Sequence, residues 1–126
     1  MIVATIGKEH YRTEIVATGH HLVADEPVDV GGQNQGPAPG QFLQMSLAAC
    51  TAITLRMYAD RKQWPLEHVR VEVDTEKTEG KTLFKRQLIF AGDLTDEQRQ
   101  RLLQIANACP VHKALTGPIE IETFLT

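Results

Sequence analysis

Apolar and polar positions in the first quarter of the chain form short runs rich in β-forming residues, and these runs predict three short β-strands. We expect the strands over residues 2–6, 11–16 and 21–24, with a turn at Gly7-Lys8-Glu9. The stretch from Gly31 to Gly40 is dense in glycine, proline and asparagine, which predicts a loop.

A long helix is predicted from Gln41 to about Gln63, where apolar residues recur every three or four positions, and Pro65 should end it. A second set of apolar residues widens the stripe nearly around the helix, which indicates a buried central helix. The two sets are Phe42, Met45, Ala49, Ile53 and Met57, and Leu43, Leu47, Cys50 and Leu55.

The alternation at residues 69–73 and 83–90, with a turn at Glu79-Gly80 between them, predicts a β-hairpin. Arg86 falls on the same face of its strand as Phe84 and Leu88. Two interpretations stay open, because Arg86 can point inward, or its stem can cover apolar surface while its charged end reaches water.

Two helices and a strand are predicted for the last third of the chain. Residues 95–98, Thr-Asp-Glu-Gln, fit a capping box for a helix that runs to about Ala108. Pro110 suits the first position of a short helix to Leu115, with Cys109 as its cap residue. Residues 119–123 alternate as a final strand.

These elements give the order β-β-β-α-β-β-α-α-β. Strands that fall in two groups predict an α+β fold with antiparallel sheets around the long central helix. A length of 126 residues indicates a single domain over residues 1–126.

Charge and composition exclude several classes of protein. The net charge is −3, from 13 basic and 16 acidic residues, and neither sign forms a block. We therefore expect no nucleic-acid partner and no polybasic membrane attachment. The chain has no signal-peptide pattern, and its most apolar stretch is too short to span a bilayer, so a cytoplasmic location is expected.

Two cysteines in a reducing compartment are not expected to form a permanent disulfide, which leaves a transient redox role, a metal site or plain burial. Cys50 lies between alanines on the apolar helix, where burial raises a thiol pKa, so inert packing is one interpretation. Cys109 stands where Pro110 opens a helix. The amides there favour a thiolate, and His112 and Lys113 are expected to add positive potential.

Metal binding is the competing use of these residues. Cys109-x-x-His112 has the spacing of metal ligands, and His20, His21 and Cys50 could complete a set. A single C-x-x-H is a weak signal, because a structural zinc site needs four well-placed ligands. We expect no metal and no cofactor.

Several blocks of the sequence resemble the OsmC/Ohr family, and they run in family order from about Asp25 to Thr123. They most resemble the OsmC-like branch that also occurs fused to α/β-hydrolase domains. The blocks are residues 25–27 with Gly31-Gly32, residues 36–39, residues 46–54 around Cys50, residues 57–62, Gly92-x-Leu94, residues 98–106, and Cys109-Pro110-Val111-His112-Lys113.

The resemblance implies an intertwined homodimer whose long central helices pack back to back, with two active sites at the subunit interface. It also implies a thiol-dependent peroxidase of the antioxidant stress response. Cys50 matches the peroxidatic cysteine of the family and Cys109 the resolving one. The substrate would be an organic hydroperoxide, and a cellular dithiol would reduce the resulting disulfide.

The sequence departs from the family at the group that activates the thiol. In the best-studied branches a glutamate before the peroxidatic cysteine holds an N-terminal arginine, whereas this chain carries Gly40 and Gln41 there. The candidates for stabilising the thiolate are Lys8, Arg12, Arg86 and Gln41. We favour an arginine over Lys8, because a guanidinium keeps its proton on burial.

Apolar residues around Cys50, namely Phe42, Met45 and Ile53, are the candidates for a pocket that favours alkyl or lipid hydroperoxides. Two other functions stay open. One is a non-catalytic OsmC-like module that binds or senses oxidants without the activating glutamate. The other is an accessory to acyl-transfer or hydrolase chemistry, suggested by the fused relatives.

Overall fold

The computed structural model describes all 126 residues, which divide into two compact units, Met1–Leu43 and Gln44–Thr126. The elements confirm the predicted α+β class with antiparallel strands, while one domain over the whole chain stays a prediction. They are β1 (Ile2–Ile6), β2 (Thr13–Ala17), β3 (His20–Ala24), α1 (Pro39–Lys62), β4 (His68–Thr78), β5 (Lys81–Ala91), α2 (Asp96–Ile105) and α3 (Pro110–Thr116), with 3₁₀ turns at Val28–Val30 and Ala106–Ala108.

The first unit contains an antiparallel meander in the order β1-β2-β3. The loop after it closes around the buried Asp25 carboxylate, which accepts backbone N–H groups from Glu26 at 2.7 Å, and from Tyr11 and Gln35 at 3.1 Å each. Burial alone would raise the pKa of Asp25, but these donors outweigh it and hold that pKa below its ordinary value. A side chain at Gly36 would meet the Val23 backbone, so glycine is required there.

The second unit contains the hairpin of β4 and β5, which turns at Glu79 and Gly80, both with positive φ. The register places Val73 opposite Arg86. Along β5 the even-numbered residues from Phe84 to Phe90 are half-buried, and most of the odd-numbered residues between them are exposed. Arg86 therefore lies on the same partly buried face as Phe84 and Leu88.

The core of the second unit forms where one stripe of α1 meets α2 and the segments beside it. The stripe is spaced by four residues, from Leu47 through Thr51 and Leu55 to Ala59. The fully buried Leu102 and Ala106 pack against Leu55 and Ala59 together with Leu66 and Leu94. No helix is long and apolar enough to cross a membrane.

The opposite stripe of α1 is exposed in the single chain. Met45, Ile53 and Met57 keep 41%, 54% and 61% of their surfaces accessible. The sequence predicts that α1 is buried on nearly all sides, but the single chain buries only one face. Burial of the second stripe stays a prediction.

The N-terminal caps of α2 and α3 form as the sequence predicts. The Thr95 hydroxyl accepts the Gln98 N–H at 3.1 Å, and the Gln98 side chain accepts the Thr95 N–H at 2.9 Å, which completes a capping box. Cys109 caps α3, because its sulfur accepts the His112 N–H, with Pro110 at the first helical position.

The predicted final strand is wrong for the single chain. Residues after Gly117 adopt no regular structure, and Ile119, Ile121 and Phe124 are 65%, 83% and 81% exposed. Alternation gives the period of a strand, but a strand forms only where a neighbouring edge accepts its hydrogen bonds. No such edge pairs with this segment.

Candidate active site

The two cysteines meet in the second unit although 59 positions separate them in the sequence. Cys50 lies near the middle of α1 and Cys109 at the start of α3, and both are free thiols. Their side chains hydrogen bond to each other. The arrangement therefore brings a half-buried thiol against a fully buried one.

Cys109 is 0% exposed and is surrounded by hydrogen-bond donors. The His112 N–H points at its sulfur from 3.4 Å, and the Val111 N–H and Thr51 hydroxyl also contact it. Burial alone would raise the pKa of Cys109. The hydrogen bonds, with that from Cys50 the largest, outweigh burial and lower the pKa.

Cys50 experiences the opposite balance. Burial raises the pKa of its thiol, and the hydrogen bond with Cys109 raises it further. The Val111 N–H and the Thr54 hydroxyl act in the lowering direction but do not overcome these effects. In this coupled pair a negative charge is therefore favoured on Cys109 over Cys50, with the Cys50 thiol as the hydrogen-bond donor.

Arg86 reaches from β5 to the buried side of this pair. Its Nη1 donates to Thr51 Oγ1 at 3.0 Å and to the Ala106 carbonyl at 3.3 Å. Its Nη2 donates to Asn107 Oδ1 at 3.1 Å and contacts His112 Nδ1 at 3.2 Å. All four acceptors are neutral, so the guanidinium charge is not balanced by a carboxylate at these contacts.

The expectation that the His112 side chain adds positive potential is wrong at neutral pH. A guanidinium can only donate, so the Nδ1 atom that faces Arg86 must be unprotonated. Burial lowers the pKa of His112, and the charge of Arg86 lowers it further. The contribution of His112 to Cys109 is its backbone N–H.

Two cavities flank the pair. One of about 320 Å³ is lined by Thr54, which hydrogen bonds to Cys50, and by Met57, Tyr58, Arg61, Ile105 and Pro110 among others. The other, of about 610 Å³, has mainly apolar walls from α1, β5, α2 and α3, and Arg86 and His112 line it. The smaller cavity is thus linked to the partly exposed Cys50 through Thr54.

The other three candidates for stabilising the thiolate belong to the first unit. Lys8 is exposed in the first unit, where Arg12 donates to Gln35 Oε1 at 3.0 Å and pairs with Glu14 at 3.3 Å. Gln41 accepts the Ala38 N–H at 2.9 Å at the start of α1.

The three residues expected to form the substrate pocket line neither cavity. Met45 and Ile53 are exposed on α1, and Phe42 is half-buried. The walls of the smaller cavity come instead from α1 residues one to three turns after Cys50, from the end of α2 and from the approach to α3.

Sequence reasoning missed Thr51 and Thr54, the two hydroxyls that contact the thiols. Helical spacing gives a signal for Thr54, which lies one turn after Cys50 on the same face. Thr51 faces the core, so its contact with Cys109 depends on how α3 packs.

No group of three or more histidine, cysteine, aspartate or glutamate side chains is placed to hold a metal ion. The imidazole of the Cys109-x-x-His112 pattern instead faces Arg86 through Nδ1.

Solved structures resemble this chain in fold. An OsmC-like protein of Mycoplasma pneumoniae matches with a TM-score of 0.78 at 17% identity, covering 93% of this chain and 86% of that one. An organic hydroperoxide resistance protein of Legionella pneumophila has a TM-score of 0.63 at 24% identity, covering 93% and 88%. One from Elizabethkingia anophelis has 0.65 at 23%, covering 94% and 89%.

None of the curated proteins compared with the chain matches it significantly. The family model described as OsmC-like protein matches residues 32–124, which is most of the chain and includes both cysteines and Arg86. The chain belongs to the OsmC-like family, and its fold is shared with organic hydroperoxide resistance proteins.

Proposed function

We propose that the protein reduces organic hydroperoxides with Cys50 as the peroxidatic thiol and Cys109 as the resolving thiol. The observation that carries the proposal is the hydrogen bond between the two thiols. Two-step peroxide chemistry needs a second thiol close to the first, because a sulfenic acid must be captured before it is oxidised further.

The reaction follows from the exposure of the two sulfurs. Cys50 is half-buried, whereas Cys109 is fully buried, so the peroxide meets Cys50. The sulfur of Cys50 attacks the terminal oxygen of the hydroperoxide, the O–O bond breaks, and an alcohol leaves. Cys109 then displaces hydroxide from the sulfenic acid to form a disulfide, which a cellular dithiol reduces by thiol–disulfide exchange.

The cavity of about 320 Å³ beside Thr54 suits the organic part of the substrate. Its lining includes the apolar side chains of Met57 and Ile105 and the ring of Tyr58. Such walls favour an alkyl or lipid hydroperoxide over hydrogen peroxide, because an organic tail gains burial there that hydrogen peroxide lacks.

A second copy of the chain is proposed to cover the exposed stripe of α1 defined by Met45, Ala49, Ile53 and Met57. Apolar side chains repeated along more than three turns form a surface that self-association would bury. The exposed alternating residues of the C-terminal segment suit the same partner, because an edge of the second copy could accept their hydrogen bonds. Sedimentation at micromolar concentration should give a dimer, and a 14.0 kDa species alone would contradict it.

One equivalent of cumene hydroperoxide tests the activity. The reduced protein should lose two protons in mass and yield a peptide that links Cys50 to Cys109, while alcohol is released. A Cys50→Ser variant should leave the peroxide intact. If the wild type consumes no peroxide, the proposed function fails.

A redox sensor is the second candidate, and the raised pKa of Cys50 favours it because a thiol that resists ionisation reacts slowly. Repeated turnover separates the two functions. An enzyme consumes many equivalents of hydroperoxide when a dithiol such as dithiothreitol is supplied, whereas a sensor forms the disulfide and does not sustain rapid turnover.

A further inference from the structure

The thiol that a peroxide can reach, Cys50, is not the thiol whose surroundings favour a negative charge. Cys50 is partly exposed, but its pKa is raised by burial and by its hydrogen bond with Cys109. Cys109 is fully buried, and its sulfur accepts the His112 and Val111 N–H groups at the start of α3. Attack by Cys50 therefore requires a base, and the group hydrogen bonded to its thiol is Cys109.

A relay from Arg86 stabilises negative charge on Cys109. The Thr51 hydroxyl has a single proton, which it can direct to the Leu47 carbonyl at 2.6 Å or to the Cys109 sulfur. Arg86 donates to the oxygen of that hydroxyl at 3.0 Å, and this makes Thr51 a stronger donor. A thiolate at Cys109 thus accepts a hydrogen bond from Thr51, and one further hydrogen bond connects Thr51 to the guanidinium of Arg86.

We propose that Cys109 acts before the disulfide forms, as the base that takes the proton of Cys50 while Cys50 attacks the hydroperoxide. The proposal rests on the proposed hydroperoxide reduction and gives Cys109 a role in both of its steps. Thr51 and Arg86 are then positioning residues that hold the charge of the base.

The proton balance of the cycle is complete. Cys109 thiolate accepts the Cys50 proton along their hydrogen bond, and the Cys50 thiolate breaks the O–O bond to give sulfenic acid and an alkoxide. The alkoxide takes the proton back from Cys109 and leaves as the alcohol. The restored Cys109 thiolate attacks the Cys50 sulfur, an S–S bond forms, and the departing hydroxide is protonated by solvent.

This base also accounts for the absence of a carboxylate before Cys50. Gln41 is neutral and bonds to the Ala38 N–H at the start of α1. The charged and titratable groups around the pair are Arg86 on β5, His112 on α3 and, on α1, Arg61, which lines the cavity shared with Thr54. The net local charge without a thiolate is positive, because His112 is neutral.

The first step alone tests the proposal. Reduced protein is mixed with one equivalent of cumene hydroperoxide at pH 6 to 10, and the rate of the first step is measured as the release of cumyl alcohol, which wild type and variants share. In the Cys109 variants, trapping with dimedone places the sulfenic acid at Cys50. In Cys109→Ser and Cys109→Ala this step should slow about 30-fold or more at pH 7, because an unassisted thiol is only a few per cent ionised there. The rates should approach the wild type at high pH.

The relay is tested by Thr51→Val, which keeps the shape of the side chain and removes the hydroxyl. Its pH profile for the first step should move to higher pH, and Thr51→Ser should restore it. Thr116→Val is the control, because this exposed hydroxyl bonds only to carbonyls of α3, and its profile should not change.

The outcomes separate the two proposals. A wild-type protein that consumes no peroxide removes the proposed function. A wild type that forms the disulfide, with both Cys109 variants reaching sulfenic acid at the wild-type rate at pH 7, leaves the proposed function intact and overturns the role of Cys109 as base.

Discussion

Replacing Arg86 with methionine removes a half-buried cation and leaves an apolar side chain of similar length. The four hydrogen bonds of Arg86 disappear, and two of them run to groups on fully buried residues, Thr51 and Ala106. The other two run to Asn107, which is exposed, and to the half-buried His112. The buried pair should therefore dominate the loss of stability.

The size of the loss in unfolding free energy depends on the hydrogen bonds removed and on the partners that the two buried acceptors keep. Hydrogen bonds from a charged donor contribute about 1.5–3 kcal/mol each, so the two buried ones together contribute about 3–6 kcal/mol. Relief from burying half of a guanidinium, and added apolar contact from methionine, offset part of this loss. Neither acceptor is left unpaired, because Thr51 still bonds to Leu47 and the Ala106 carbonyl still accepts the Cys109 N–H. We expect a net loss of about 1–3 kcal/mol.

Urea denaturation of the reduced protein, followed through the fluorescence of Trp64, measures this loss. Trp64 is the single tryptophan and packs against the core of the second unit. Arg70→Met is the matched control, because Arg70 is an exposed arginine on the neighbouring strand paired with Glu72, and it should cost less than about 1 kcal/mol. Equal stability of the two variants would refute the weight given to the buried hydrogen bonds. NMR titration should also place the pKa of His112 higher in Arg86→Met, since the charge that lowers it is gone.

Three further predictions concern stability and assembly. Leu102→Ala should lose about 2–5 kcal/mol in the same urea experiment because Leu102 is fully buried, whereas the exposed neighbour Leu103→Ala should change little. The Asp25 carboxylate, whose pKa is lowered on folding, should stabilise the protein above the unfolded pKa of about 3.9 and lose this effect as the pH falls through the lower folded value. As the pH is lowered, the melting temperature of Asp25→Asn should therefore fall less steeply than that of the wild type. Ile53→Glu, which places a charge on the exposed stripe of α1, should weaken the proposed dimer in sedimentation, and an unchanged dimer would contradict that interface.

Local features of the fold were predictable because the side chains that specify them are neighbours in the sequence. Thr95 and Gln98 satisfy each other within one turn, and Cys109 caps the helix that Pro110 opens. Alternation likewise gave the hairpin of β4 and β5 and put Arg86 on its partly buried face. The prediction of a final strand was wrong for the converse reason, because its hydrogen-bond partners must come from the edge of a strand that is distant in the sequence.

The candidate site was predictable only in part. Two apolar helix faces in a small chain make contact between Cys50 and Cys109 plausible from sequence, but the direction of proton sharing depends on which backbone amides face which sulfur. Val111 and His112 supply these amides only because α3 starts beside the middle of α1. The neutral state of His112 could not be anticipated either, because it depends on Arg86, 26 positions earlier in the chain.

In the proposed reaction, the half-buried Arg86 connects the chemistry of the reduced and oxidised forms. Arg86, through Thr51, and the amides of α3 favour one negative charge, which the proposed cycle places on Cys109 in the reduced pair. A Cys50–Cys109 disulfide is neutral and would forfeit that stabilisation, so the same contacts that ready the pair for peroxide also favour its reduced form. A disulfide whose reduced form is stabilised in this way is a better oxidant and is reduced more readily by a dithiol. In the proposed reaction, activation of the thiols and regeneration of the pair would thus both depend on the contacts of Arg86 and of the α3 amides.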